Sequence, residues 1–523
     1  MQDLINPVSG AITSSLQVSV DFEATGFVGF ANTGYSGIPV MNATYSCQFW
    51  MMGEYSGTIM LQLAGSTNDT IYASHNITVK SSWGKFTHYQ TSFNSSAAPD
   101  GDNEWRLLFN GSKMAGGMLN FGLVQLFPPT YKSRSNGLRN DVATFLEKTA
   151  PSFLRFPGGN NLLLHPSAPR ASDMNMEPVL AVWDGKSYGG ILSGEDLQPY
   201  IDDIMNELEL TVKYLLGPSN STYGSMRAQN GRSKPWSINY IEIGNEDDFT
   251  GGCDTYPDRF YQIYNAIRNS YPNITLIASN IDYLCLPIEP PPGLIYDYHY
   301  YRKPDDLVAM FDYWDNQPRT QPIMVGEYGC RDTSEADGIF WSSMQCSCSE
   351  AAHMIGLERN SDVVKMAAYA PLLQHFGYTQ WSVSLESLPT FLIKPTLFGF
   401  DSSPDSLTPS TSYYVQRMFS TNRGDTILPV NTTATFGPLY WVASRTNSTY
   451  FVKLANYGAQ NQTVRIKVPQ TKTGHVEMLY GPQNATNFVH NITVQPTMKN
   501  VTSSVGSYSL NMPPWGVAVL SVS

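Results

Sequence analysis

Tyr240-Ile241-Glu242-Ile243-Gly244-Asn245-Glu246-Asp247-Asp248 decides how this chain folds. A short apolar strand runs straight into Gly-Asn-Glu, a turn that leaves a polar amide and a carboxylate at the strand end. Ile323-Met324-Val325-Gly326-Glu327-Tyr328-Gly329 repeats the pattern of apolar strand, glycine and glutamate. Between and around them, short apolar runs alternate with helical stretches. The strand candidates are Phe153 to Phe156, Pro178 to Trp183, Tyr240 to Gly244, Leu276 to Ala278, Tyr296 to Tyr300, Ile323 to Val325 and a weaker one ending at Trp381. Leu197, Ile201, Ile204, Leu208, Val212 and Leu215 recur at helical spacing, as do Phe260, Ile263, Tyr264 and Ile267. Parallel strands alternating with helices over this length predict a (β/α)8 barrel.

Outside the barrel the period falls to two. Leu16 to Val20, Thr58 to Leu63 and Met118 to Phe127 alternate as half-buried strands, with Gly, Asn and Ser clusters between them. The same rhythm returns in Tyr450 to Leu454, Thr463 to Val468, Val476 to Leu479 and Val517 to Val522. The expected organisation is a β-sandwich over 1–127, the barrel over 128–405 and a second β-sandwich over 406–523.

Barrels of this type carry their chemistry at the C-terminal ends of the strands, where Asn245, Glu246 and Glu327 would stand. Two carboxylates there suit glycosidic cleavage. One holds a proton for the leaving oxygen; the other stays ionised and attacks the anomeric carbon. A retaining pair predicts carboxyls about 5–5.5 Å apart, with the acid, Glu246, raised in pKa. Asn245 is placed to bind a sugar hydroxyl. Glu242 shares the strand parity of Glu246 and reads as a residue of the lower barrel layer. His299 and Tyr300 would line the mouth between the two glutamates. Asn160 and Asn161 offer two amides after a strand and a tight turn, and Trp183 and Trp381 offer indole faces at strand ends. The bland alternatives are surface carboxylates, a structural histidine, a plain Gly-Gly loop and tryptophans that cap the core.

The net charge of −12, with no basic tract or phosphate-binding glycine loop, argues against a nucleic-acid partner. No apolar run approaches the ~20 residues that cross a bilayer. About a dozen Asn-x-Ser/Thr sequons, among them Asn42, Asn68, Asn76, Asn94, Asn110, Asn220, Asn273, Asn431, Asn447, Asn461, Asn484, Asn491 and Asn500, predict N-glycans and a secreted, extracellular protein. Six cysteines agree with that compartment, and Cys253 with Cys285 is a plausible disulfide. Cys346 and Cys348 have no neighbouring histidines to make a metal site. Met-Gln-Asp-Leu-Ile-Asn at the start lacks the apolar core of a signal peptide, so the secreted reading expects a trimmed or misplaced start.

Ser135 to Asp141, Phe153 to Asn161, Glu177 to Trp183, Ile243 to Glu246, Val325 to Tyr328 and Ser412 to Gln416 together resemble glycoside hydrolase family 51, and within it the fungal α-L-arabinofuranosidases. The resemblance covers nearly the whole chain. It implies a retaining double displacement with Glu246 as acid/base and Glu327 as nucleophile. It also implies a carbohydrate-binding-module-like first sandwich, an arabinofuranosidase C-terminal domain and no cofactor or metal. The implied partners are arabinoxylan, arabinan and related oligosaccharides. Three departures from the family pattern predict an incomplete barrel with impaired activity. The chain starts beyond the family's opening strand, only a short stretch separates Asn160 from Glu177, and Ser382 to Phe400 reads as inserted sequence.

Two rival functions follow from the same residues. An endo-β-glycanase could use the same barrel and glutamate pair, since a fold does not fix the sugar. A carbohydrate-binding paralogue that had lost catalysis would bind without turnover.

Overall fold

The structure, a computed structural model, describes all residues except 1, 4–6, 9–12, 135–136, 157–173, 188–189, 230–231, 280–284, 286–290, 332–341, 377–395 and 504. It forms two compact units. One is Met1–Leu146 with short later stretches that include Gly399–Thr408; the other holds the barrel and the C-terminal sandwich.

The first unit is a two-sheet antiparallel sandwich. Its five-stranded sheet runs Gln2–Asp3, Ser14–Ser19, Met118–Phe127, Ala43–Met52, Thr87–Ser95. Its four-stranded sheet runs Phe27–Asn32, Asn103–Asn110, Tyr55–Gly65, Ile71–Ser81. Alternation explains the layering. Tyr45, Cys47, Phe49 and Met51 are buried while Thr44 and Ser46 face out, and Phe121 meets both Phe49 and Phe109 in the core.

In the second unit seven parallel strands follow one another in barrel order: Phe153–Phe156, Glu177–Val182, Tyr240–Ile243, Thr275–Ser279, Ile295–Arg302, Ile323–Cys330 and Val364–Tyr369. Val179, Ile277, Ile295 and Met324 form part of the core beneath them. The helix Gln198–Leu216 buries Ile201, Ile204, Leu208, Val212 and Leu215, the face expected from their spacing. Tyr256–Ser270 buries Phe260, Ile263 and Ile267.

One strand departs from expectation. The seventh described strand is Val364–Tyr369, whereas the stretch ending at Trp381 lies outside the described residues. Val-Lys-Met-Ala-Ala-Tyr is rich in helix formers and follows a helix, so local propensity hides it. Parallel pairing with Ile323–Cys330 decides the outcome. The seven strands run in sequence from Phe153 to Tyr369; the short crossover after Asn160 and most of the inserted stretch also fall outside the described residues.

The C-terminal sandwich pairs a six-stranded antiparallel sheet, Thr426–Leu428, Leu439–Arg445, Tyr450–Asn456, Gly516–Val522, Thr473–Tyr480, Thr497–Thr502, with the ribbon Gln462–Lys467 and Ser507–Met512. Leu454, Met512, Ala518 and Leu520 lie in its core. It grips the barrel through Lys453, whose buried ammonium pairs with Glu358 on the helix Met344–Arg359. Disulfides join Cys253 to Cys285 and, unforeseen from sequence, Cys330 to Cys346.

Candidate active site

The barrel strands deliver a connected set of charges to their C-terminal ends. Arg155, from the first described strand, sits at the centre. Its Nε and Nη2 donate to Glu242 at 2.5 and 2.8 Å, Nη1 donates to Glu327 Oε1 at 2.8 Å, and Nη2 also reaches Asn245 Oδ1 at 2.8 Å. Asn245 is thereby oriented with its NH2 end as a donor that has no partner among the described residues. Tyr301 donates its hydroxyl to the other oxygen of Glu327, Oε2, at 2.7 Å. Both oxygens of Glu327 are thus fixed before any ligand arrives.

Glu246 is set by a different device. Gly244 lies at φ +89°, and a Cβ there would come 2.2 Å from Asp247 Oδ2, so only glycine fits the turn. Glu246 itself is held at φ +52°, a left-handed conformation that its surroundings must enforce. They do so from three sides: its N–H donates to Ser279 Oγ at 3.0 Å, Lys186 Nζ donates to its carbonyl, and the next residue, Asp247, is clamped by buried Arg259 together with Asp184. Gly326, before Glu327, answers a similar constraint. Its N–H donates to Asp297 Oδ1 at 2.6 Å, and a Cβ would lie 2.4 Å from both Asp297 oxygens.

Asp297, His299 and Tyr301 project from one face of Ile295–Arg302. His299 Nε2 bonds Asp297 Oδ2 at 2.7 Å, and Nδ1 reaches Glu246 Oε1 at 3.2 Å. One carboxylate oxygen of Glu246, one of Glu327 and a His299 ring nitrogen all lie within 4.8 Å of one another. Three-donor groups of this kind could hold a cation, as could Glu242, Asp297 and His299, but Arg155 already bonds Glu242 and Glu327 and a metal would have to displace it.

The electrostatics follow from burial and pairing. Burial pulls the His299 pKa down, yet the carboxylates of Asp297 and Glu327 outweigh it and hold the imidazole at about 10, so it is a cation at neutral pH. Burial alone would push Glu246 up, but the bond and charge of His299, with Arg155 and Lys186, bring it below its ordinary value. The raised Glu246 expected from sequence is therefore reversed in the free protein, because the proton of the pair resides on His299. Glu242, fully buried, is pushed up to about 8 by burial despite Arg155, with Asp297 adding to the rise.

The structure also sorts the remaining candidates. Tyr300 does not line the mouth: it is buried on the outer side of its strand, with its hydroxyl 2.8 Å from His353 Nε2 on a helix. Side chains alternate across a strand, so Tyr301 takes the inward place instead. Trp183 donates its indole N–H to the Lys186 carbonyl at 2.7 Å and meets Tyr200 edge-on, in the loop that reaches Glu246. Asn160, Asn161 and Trp381 lie outside the described residues. Sequence reasoning passed over Arg155, Asp297 and Tyr301. Parity counted from His299 could have found the last two.

Two family models match, the alpha-L-arabinofuranosidase 1 domain over residues 168–319 and the alpha-L-arabinofuranosidase C-terminal domain over 326–516. The chain is 55% identical to the "Probable alpha-L-arabinofuranosidase A" of Emericella nidulans, covering 99% of each, and 43% identical to alpha-L-arabinofuranosidase A of Aspergillus kawachii, covering 99% of this chain and 85% of that one. An arabinose-bound family 51 α-L-arabinofuranosidase superposes with a TM-score of 0.88 at 30% identity, covering 100% of this chain and 89% of the other. Fold and relatives define the class, a barrel glycoside hydrolase. The chain belongs to glycoside hydrolase family 51, the α-L-arabinofuranosidases. It hydrolyses arabinofuranosyl residues.

Proposed function

We propose that this enzyme is secreted and removes terminal, non-reducing α-L-arabinofuranosyl groups from arabinoxylan, arabinan and related hemicellulose or pectin side chains, with retention of configuration. Glu327 attacks the anomeric carbon as Glu246 delivers a proton to the departing oxygen. In the free enzyme that proton sits on His299, 3.2 Å away. As Glu327 spends its charge in the new bond, one of the charges that keep His299 protonated disappears, and the proton passes to Glu246. Glu246, again a carboxylate, then takes a proton from the water that cleaves the arabinosyl–Glu327 ester, and returns it to His299 as Glu327 regains its charge.

The observation that carries this reading is the approach of the two carboxylates, with an oxygen of each within 4.8 Å, which supports the ~5–5.5 Å carboxyl spacing of retaining pairs over the ~6.5–9.5 Å of inverting ones. Secretion and N-glycosylation are supported by the two disulfides and by the sequon asparagines, all exposed save the partly buried Asn110. The test is methanolysis of an aryl α-L-arabinofuranoside followed by NMR. An α-methyl product is expected first, and a β-product overturns retention. With arabinoxylan, arabinose alone should appear; shortened xylan chains would favour an endo-acting enzyme. Glu327→Ala should abolish both reactions.

A further inference from the structure

In the three antiparallel sheets of four or more strands, four outer strands have six or more residues: Phe27–Asn32, Ile71–Ser81, Thr87–Ser95 and Thr497–Thr502. The last three each contain a sequon within the strand, at Asn76, Asn94 and Asn500, and all three asparagines are exposed. The other sequons fall in turns and loops, apart from Asn110 at a strand end, where it caps a single helical turn. An outer strand presents a row of unpaired N–H and C=O groups on which another chain can add a strand, a liability that proteins block explicitly.

The Ile71–Ser81 strand shows how the blocking is divided. Lys80 turns its N–H and C=O away from the neighbouring strand, and both are met by the Tyr89 hydroxyl, at 3.0 and 2.5 Å. At the other end the Tyr72 carbonyl is met by Ser96 N–H at 3.1 Å. Pairing is regular from Ala73 to Ser81, and backbone groups alternate in direction along an antiparallel strand. Ser74, Asn76 and Thr78 therefore point their N–H and C=O to the same free edge as Lys80. No backbone partner on that side is found among the described residues. Asn76 stands at the middle of this open stretch, with its side chain in the exposed row Ser74, Asn76, Thr78, Lys80. On Thr87–Ser95, Thr44 donates to Asn94 Oδ1 at 2.7 Å, leaving Nδ2 as the outward atom. On Thr497–Thr502, Asn500 neighbours Met498, which is 63% exposed.

We propose that N-linked oligosaccharides on Asn76, Asn94 and Asn500 guard the three open sheet edges against strand addition by other chains. The inference rests on the secreted reading above, since the donor, a lipid-pyrophosphate-linked oligosaccharide, belongs to the secretory route. In the transfer the bond from Asn Nδ2 to the sugar C1 forms, the C1–O bond to pyrophosphate breaks, and the amide loses one proton. The attached glycan is large, hydrated and uncharged at the strand, and it fills the space a partner strand would need.

The test uses the full chain secreted from a eukaryotic host. Glycopeptide mass spectrometry should find all three sites occupied; an unoccupied site overturns its assignment. A triple variant, Thr78→Ala, Asn94→Gln, Thr502→Ala, should keep its kcat/KM but scatter light at a lower temperature than the parent. A loop variant, Asn220→Gln with Asn273→Gln, should keep the parental onset. Endoglycosidase trimming of the folded parent to single sugars should reproduce the triple variant without changing a residue. Equal onset temperatures for triple and loop variants overturn the guard. Loss of arabinose release by the glycosylated parent would instead sink the functional proposal and leave this one standing.

Discussion

Tyr300 and Tyr301 are adjacent, both aromatic and both hydroxylated, yet the strand sends them to opposite sides. Replacing each by Phe removes one oxygen and leaves the ring. In Tyr301→Phe the lost bond is the 2.7 Å donation to Glu327 Oε2, a hydrogen bond to a charged acceptor worth about 1.5–3 kcal/mol. Two effects then compete. An unburdened carboxylate is a better nucleophile, but it is then held only at Oε1, by the Arg155 bond with the His299 cation 3.7 Å away, and can swing about that atom. Misplacement by ~1 Å costs about a hundredfold, so positioning wins. At about 1.4 kcal/mol per factor of ten, the bond energy predicts a fall in kcat of roughly ten- to a hundredfold, the same range as the misplacement it prevents, with KM little changed. Tyr300→Phe removes the buried contact with His353 and should lower unfolding free energy by about 1 kcal/mol while kcat stays at the parental value. Steady-state kinetics on an aryl arabinofuranoside and denaturant titration read the two outcomes. Equal losses of kcat in both variants, or an unaltered kcat in Tyr301→Phe, would refute the inward and outward assignment.

His299→Asn removes the proton store: the basic limb of kcat/KM, set in the parent by the His299–Glu246 pair near the His299 value of about 10, should move down toward the carboxylic range, even as Glu246 itself rises for want of its cationic neighbour. A pH–rate profile with an unmoved basic limb would sink the proton-passing step. Arg155→Lys keeps the charge but loses the fork that spans Glu242, Glu327 and Asn245, and kcat should fall by about a hundredfold or more, read on the same substrate. Glu242 stays protonated in the folded protein up to about 8 while its unfolded value is near 4.5, so the folded state binds more protons between those values and stability declines as pH rises across them. Glu242→Gln should flatten that decline in denaturant titrations at several pH values.

Much of this arrangement was legible in the residue pattern, and the reasons for the remainder are physical. Strand–Gly–Glu, twice, marked Glu246 and Glu327, and the amide before Glu246 marked Asn245, because each is a local feature. The sequence ends the apolar strand at Val325, but Gly326 lies inside the strand Ile323–Cys330 and is required by the carboxylate of Asp297 from the neighbouring strand. Arg155 stands beside two amides that are the more obvious sugar-binding groups, and its partners Glu242, Asn245 and Glu327 are brought to it only by the curling of the parallel sheet. The sequence ends this strand at Tyr300 and so favours Tyr300 over Tyr301; the strand continues to Arg302, with a register shift between Asp297 and His299. Val364–Tyr369 was hidden by its own helical propensity. Cross-strand pairing carries this information, and no single segment contains it.

The pinning of Glu327 has a consequence for any variant that lacks the carboxylate. Arg155 Nη1 and the Tyr301 hydroxyl converge on the two oxygens of one group, at 2.8 and 2.7 Å. Truncating Glu327 to alanine or glycine leaves two donors, one of them cationic, aimed at a vacant volume the size of a carboxylate. That is a receptor for a small anion. Formate or azide should lodge there, and a glycosyl donor with a good leaving group would meet a nucleophile supplied from solution rather than from the chain. The same two donors that fix the native nucleophile thus turn its loss into a binding site.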